Sequence, residues 1–143
     1  MSRLNNYDDI ILKSHERCIN YGLERNIVTP KNILKGKELK IVLDKNEKLV
    51  KIAKPFMEIL YDFLKGSGFS IYLTDNKGRV LTIIGDEDII VAQAEVGIIV
   101  GSDMSEESAG TNAIGIAIYE YCSVQLSGKE HFLNSFHIWT CSA

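Results

Sequence analysis

The chain has 143 residues, 45% hydrophobic and 24% charged, with a formal net charge of −3 at pH 7. That length fits a single domain and the composition is that of a globular protein. The acidic balance gives no reason to expect nucleic acid or an anionic membrane as partner. No apolar run approaches the ~20 residues of a membrane helix, and Asn5, Asn6, Asp8 and Asp9 stand where a signal-peptide core would lie. Three widely spaced cysteines fit a reducing compartment better than a disulfide framework. The expected location is the cytoplasm.

In chain order, Asn6 is placed to cap a first helix, in which Ile10, Ile11, Ser14, Cys18 and Tyr21 recur at helical spacing and Gly22 ends the run. Residues 23–47 are polar and Lys-rich with breakers at Pro30 and Gly36, which predicts loops and a short helix. From Glu47 to Lys65, Leu49, Ile52, Ala53, Phe56, Leu60, Phe63 and Leu64 form one stripe, with Pro55 inside it as an expected kink or break. The period then drops to two. Residues 69–74 and 79–84 alternate around Asp75-Asn76-Lys77-Gly78, the signature of an antiparallel hairpin.

Residues 86–95 predict a short helix, 97–110 an irregular segment and 111–121 a second good helix opened by Thr111-Asn112. Val124 to Leu126 predicts a strand, Lys129 to Ser135 a helical turn, and Ile138 to Ser142 another strand. Helices first, then a hairpin, then mixed short elements indicate an α+β fold on an antiparallel sheet. Residues 1–65 form an N-terminal helical segment leading into a unit over 66–143, the two packing together.

The last third gathers small, hydroxyl, amide, imidazole, aromatic and thiol side chains, as the lining of a site does. A helix beginning at Thr111 and Asn112 offers free N–H groups to a carbonyl or carboxylate oxygen, or serves only as a cap. Gly115 inside that helix suggests close approach of a backbone or a ligand. Glu106, just upstream, is either a pocket acceptor or a solvated loop carboxylate.

His131, His137 and Cys141 admit three readings: polar anchors in a pocket wall, structural histidines, or ligands of a metal beside a redox thiol. Their spacing matches no standard zinc pattern, so no metal or cofactor is expected. Phe132 and Trp139 would supply the apolar part of a pocket, and Tyr72 on the hairpin is a weaker candidate. Cys18 and Cys122 lie in helical pattern as small apolar residues.

Several segments together match a known family. These are Ser14-His15-Glu16-Arg17-Cys18 with Gly22-Leu23, Leu73 to Gly78, Met104 to Gly115, Val124 to Phe132, and Thr140-Cys141-Ser142-Ala143. The chain resembles the N-terminal sensor region of sigma-54-dependent transcriptional activators of the acetoin and glycerol/dihydroxyacetone catabolism type. The matched region looks like their GAF domain. His15 and Met104 stand where such proteins commonly carry Trp, and Ser123 where they carry Pro, which suggests a different ligand.

The resemblance implies a GAF-like antiparallel sheet with N-terminal and flanking helices, whose final strands lie beyond this chain. It also implies an AAA+ ATPase and a helix-turn-helix elsewhere in a parent protein. No Gly-x-x-x-x-Gly-Lys-Ser/Thr phosphate loop occurs in these residues. The function expected is therefore a non-catalytic domain, a homodimer, that binds a small-molecule effector. The alternatives are a redox or metal-based gas sensor, or a purely structural dimerisation module pairing through the 49–64 stripe.

Overall fold

The computed structural model describes residues 2–143, with side chains from Asn6 onward. Helix α1 spans Ser2–Asn20, so Asn6 lies within the helix and does not cap it. Asn costs only a few tenths of a kcal/mol at an internal helical position, on the order of 0.5, too little to stop the helix there. Its C-terminus follows the expectation. Gly22 adopts φ +73°, its N–H bonds to the Ile19 carbonyl at 2.9 Å, and the Leu23 N–H bonds to the Cys18 carbonyl at 3.1 Å. That is a Schellman closure, with Cys18 and Leu23 packed in one core.

The polar stretch that follows contains α2, Gly36–Lys45, and then α3, Glu47–Leu64. Helix α3 runs through Pro55 without a break. Pro55 is exposed, so the carbonyl it fails to bond can turn to water. The face of α3 that meets the hairpin carries Val50, Ala53, Met57, Tyr61 and Leu64, with Met57 buried and the others half-buried. Most of the stripe read from the sequence lies on another face and is exposed.

Strands β1, Ser70–Thr74, and β2, Val80–Gly85, pair antiparallel from Ser70–Gly85 to Thr74–Val80, with a register shift after Leu73. Asp75 holds the turn. Its Oδ1 accepts the N–H groups of Lys77 at 2.9 Å and Arg79 at 3.0 Å, and its Oδ2 accepts Arg79 Nε at 2.6 Å. Burial pushes this carboxyl up, but the Arg79 guanidinium and the two backbone donors outweigh it and hold it below the ordinary aspartate value of 3.8. A depressed folded pKa contributes stability that is present above 3.8 and is lost as pH falls through the lower folded value. The urea midpoint of Asp75→Asn should therefore lie well below wild type at pH 7, and the gap should narrow at pH 3.

Helix α4 covers Glu87–Glu95 and packs on β2. The segment expected to be irregular contains one helical turn, α5, Glu106–Ala109, which leads into α6, Ala113–Glu120. Strand β3, Gln125–Ser127, pairs antiparallel with β4, Thr140–Ser142. Two 3-10 turns, Gly128–Glu130 and Asn134–Phe136, stand where a single helical turn was expected.

The architecture is thus mixed helix and strand, but the strands form two separate two-stranded antiparallel sheets where a single sheet was expected. The physical reason is pairing range: each short strand signal is local, and nothing local specifies whether β1 meets β4. The larger core joins Cys18 and Leu23 to Val80, Ile98, Met104, Phe132, Leu133 and Phe136. A smaller one, of Ala113, Ile116, Val124 and Leu126, sits under Tyr7, Ile10 and Ile11 of α1.

Candidate functional site

Helix α1 brings Ser14, Arg17 and Cys18 against α5 and the start of α6. Glu106 is 4% exposed and is neither solvated nor free. Arg17 grips it with two bonds, Nε to Oε2 at 2.6 Å and Nη2 to Oε1 at 2.7 Å. The Ser14 hydroxyl donates to Oε1 at 2.6 Å and lies 2.8 Å from Thr111 Oγ1. Arg17 also reaches Glu120 at 3.1 Å and stacks 3.8 Å above the Tyr119 ring. Its hydrogen bonds to Glu106 raise its already high pKa further, against the opposing effect of burial. A bidentate arginine–carboxylate pair of this kind is rigid and directional.

Asn112 caps α6 as the sequence suggested: its Oδ1 accepts the Gly115 N–H at 3.0 Å. Its Nδ2 donates to the carbonyls of Met104 and Gly110, each at 2.8 Å. Thr111 is fully buried and its carbonyl accepts the Phe132 N–H at 3.1 Å. A Cβ on Gly115 would stand 3.0 Å from the Met104 carbonyl oxygen, so close backbone packing accounts for this glycine. Gly110 sits at φ +70°, where a Cβ would come within 2.8 Å of Phe132 Cβ.

The third group surrounds Phe132. His131 is fully buried. Its Nδ1 lies 3.0 Å from the Gly128 carbonyl, which can only accept, so Nδ1 carries the proton and Nε2 is a bare acceptor. Burial lowers the pKa of this imidazole and favours that neutral form. Among the described residues, neither His131 Nε2 nor the buried Trp139 Nε1–H has a hydrogen-bond partner. Phe132 is in the larger core, with Trp139 and Tyr72 packed against it. His137 donates from Nε2 to the His131 carbonyl at 3.1 Å. Burial pushes the Tyr72 hydroxyl up to about 12; the nearby Ser70 hydroxyl lies 3.0 Å from it.

Cys141 belongs with the smaller core, and burial pushes its thiol up to about 11. At neutral pH it carries very little thiolate, the reactive form. Among the described residues, no group of three or more His, Cys, Asp and Glu is placed to hold a metal ion.

The expected site residues therefore fall into three neighbouring groups. Glu106, Thr111 and Asn112 belong to a polar lock under α1. His131, Phe132, His137, Trp139 and Tyr72 gather at the larger core. Cys141 lies at the smaller one. Two surface depressions are present, one lined by Tyr61, Lys65 and Asp86, the other by Tyr7, Gln125 and Glu130, the residue before His131.

Sequence reasoning did not single out Ser14 or Arg17 as site residues, nor His15 and Arg25. The His15 ring is edge-on to Phe132 at 5.5 Å, bonded to the Glu130 carbonyl at 2.7 Å and to Arg25 at 3.0 Å. The matched Ser14–Cys18 motif carried a signal for Ser14, His15 and Arg17, and nothing in the sequence pointed to Arg25.

No family model matches the chain. It is 57% identical over 143 residues to the signal-transduction and transcriptional-control protein of Clostridium beijerinckii, covering all of this chain and 23% of that protein. It is 30% identical over 139 residues to the acetoin catabolism regulatory protein of Cupriavidus necator, covering 96% and 21%. Against the acetoin dehydrogenase operon transcriptional activator AcoR of Bacillus subtilis, identity is 29% over 133 residues, covering 93% and 22%. The chain thus spans under a quarter of the length of these relatives, all of which are transcriptional regulators. Its fold matches a chain in the crystal structure of the E. coli DhaR(N)–DhaL complex with a TM-score of 0.86 at 18% identity, covering 92% of this chain and 44% of that one. No helix of the described residues is long and apolar enough to cross a membrane.

Proposed function

We propose that these residues form the GAF-type ligand-sensing domain of a sigma-54-dependent transcriptional activator, in which a small oxygenated metabolite controls a separate AAA+ ATPase. The observation that carries this is the pair of unpartnered buried atoms at the larger core, an acceptor on His131 and a donor on Trp139. Buried polar groups without partners are rare and costly, and a ligand is one of the agents that satisfy them. A ligand hydroxyl satisfies either atom, donating to His131 Nε2 or accepting from Trp139 Nε1–H, and the core beside them, with Phe132 in it and Tyr72 packed against it, suits a short carbon chain. The relatives named for acetoin catabolism support a hydroxyketone or diol of that size.

In this reading the domain binds and does not catalyse, working in the cytoplasm as part of a longer chain. Thr111, Asn112, Glu106 and Arg17 hold the wall in place from beneath. The raised pKa of Cys141 argues against the redox-sensor alternative. A second reading, a protein partner as the input, takes its support from the structural neighbour, which is a complex with DhaL.

Isothermal titration against short-chain hydroxyketones, diols and polyols separates the two. At least one should bind wild type, and His131→Phe, which keeps the bulk and removes the acceptor, should weaken it at least tenfold. If a folded domain binds none of the panel, the metabolite reading is wrong.

A further inference from the structure

Two polar side chains lie against Phe132, which is only 1% exposed. The His15 ring meets it edge-on at 5.5 Å, and the Arg25 guanidinium lies 4.3 Å from its ring centroid. The two also hold each other, since Arg25 Nη2 donates to His15 Nδ1 at 3.0 Å. The tautomer follows from the other nitrogen. The Glu130 carbonyl, 2.7 Å from Nε2, can only accept, so Nε2 carries the proton and Nδ1 offers Arg25 its lone pair.

Both ring nitrogens are thus committed to the neutral imidazole. A proton on Nδ1 removes the lone pair and sets a cationic N–H against a guanidinium. The surrounding charges give little relief. Glu106 of α5 and Glu120 of α6 are paired with Arg17, and the Glu130 carboxylate accepts the Ser127 N–H at 2.7 Å. His131 and His137 are themselves bases, and a charge on His137 opposes one on His15. Of the two residues, Arg25 is the one able to leave. Its side chain is exposed, and its other bond, Nη1 to the Phe132 carbonyl, is stretched to 3.5 Å. Its backbone stays, because the Arg25 carbonyl accepts the Asn134 N–H at 2.8 Å. A charged His15 is held more firmly by the Glu130 carbonyl. We infer that His15 and Arg25 form a proton-operated cover on Phe132, closed while His15 is neutral and opened when Nδ1 takes up a proton.

Burial holds this imidazole below its ordinary 6.5, against the Glu130 carbonyl bond and with the Arg25 and His137 charges. The closed form is therefore fully favoured above 6.5 and loses ground as pH falls from there through the lowered value. Each unit between the closed and open values shifts their ratio tenfold. Phe132 belongs to the core assigned to the metabolite, so opening would regulate access there. That consequence rests on the metabolite reading; the cover itself does not.

The test is a nitrogen-15 imidazole titration of the 143-residue chain from about pH 8 to about pH 5. The chain has three histidines, and the signal missing from His15→Gln identifies His15. Its midpoint should lie below 6.5, and the Phe132 ring and Arg25 Nε–H signals should move with that midpoint. His15→Gln keeps a donor and an acceptor but cannot titrate, so it should abolish the pH response of both reporters. Arg25→Gln should raise the His15 midpoint. A His15 that titrates at or above 6.5 overturns the proposal. So does one that stays neutral to about pH 5, or a Phe132 response that survives in His15→Gln. No ligand is added, so failure of the cover and failure of the metabolite panel are separate observations.

Discussion

Replacing Glu106 with alanine is expected to destabilise the domain by about 3 kcal/mol, measured by urea unfolding at pH 7. The change leaves Arg17, only 16% exposed along its side chain, without its bidentate partner and with the Glu120 carboxylate at 3.1 Å as its remaining ion pair. Breaking a buried pair from one side typically costs ~3–5 kcal/mol, and the partial exposure of Arg17 places this case at the lower end. The Ser14 hydroxyl loses its acceptor as well. Arg17→Met with Glu106→Leu removes both charges and keeps the volume, so it should recover much of the loss. A double variant as unstable as Glu106→Ala would mean the pair contributes through packing and not through uncompensated charge.

The second large effect is expected at Asn112. Its replacement by alanine removes the α6 cap, worth about 1 kcal/mol, and strands two carbonyls at about 1 kcal/mol or more each. The sum is about 3 kcal/mol. Aspartate is as good a cap as asparagine in an isolated helix, yet here it should not rescue. The side-chain nitrogen of Asn112 donates to the Met104 and Gly110 carbonyls, and a carboxylate oxygen in its place would repel both. Asn112→Asp should therefore unfold at least as readily as Asn112→Ala at pH 7. An aspartate variant near wild-type stability would show that capping alone accounts for this residue.

These two sites also show how far the sequence could be read. The cap at Asn112 was legible because its signal is local: a polar residue, then a helical run, with the bonded N–H three residues on. The Asp75 turn and its hairpin were legible for the same reason. The pairing of Glu106 with Arg17, 89 residues apart, was not, since no periodicity encodes a contact at that separation. The identity of the inner face of α3 was hidden differently. That helix is apolar on two sides, and the 49–63 spacing is the stronger pattern, but only tertiary packing reveals that Val50, Met57 and Tyr61 turn inward. His15 was visible only as a departure from the family's motif, and its place beside Phe132 follows from the fold. The separation into two small sheets likewise depends on long-range pairing.

The central claim is that a small oxygenated ligand completes the unpartnered atoms at the larger core, and Trp139 reports on it directly. It is the single tryptophan of the chain, so a nitrogen-15-labelled sample gives one indole N–H signal. That signal should move, with slowed exchange with solvent, as a hydroxyketone or diol of the panel is added, and the shift should be lost in His131→Phe. An indole signal that stays fixed at saturating concentrations of every compound, in a domain that is folded throughout, would contradict the account.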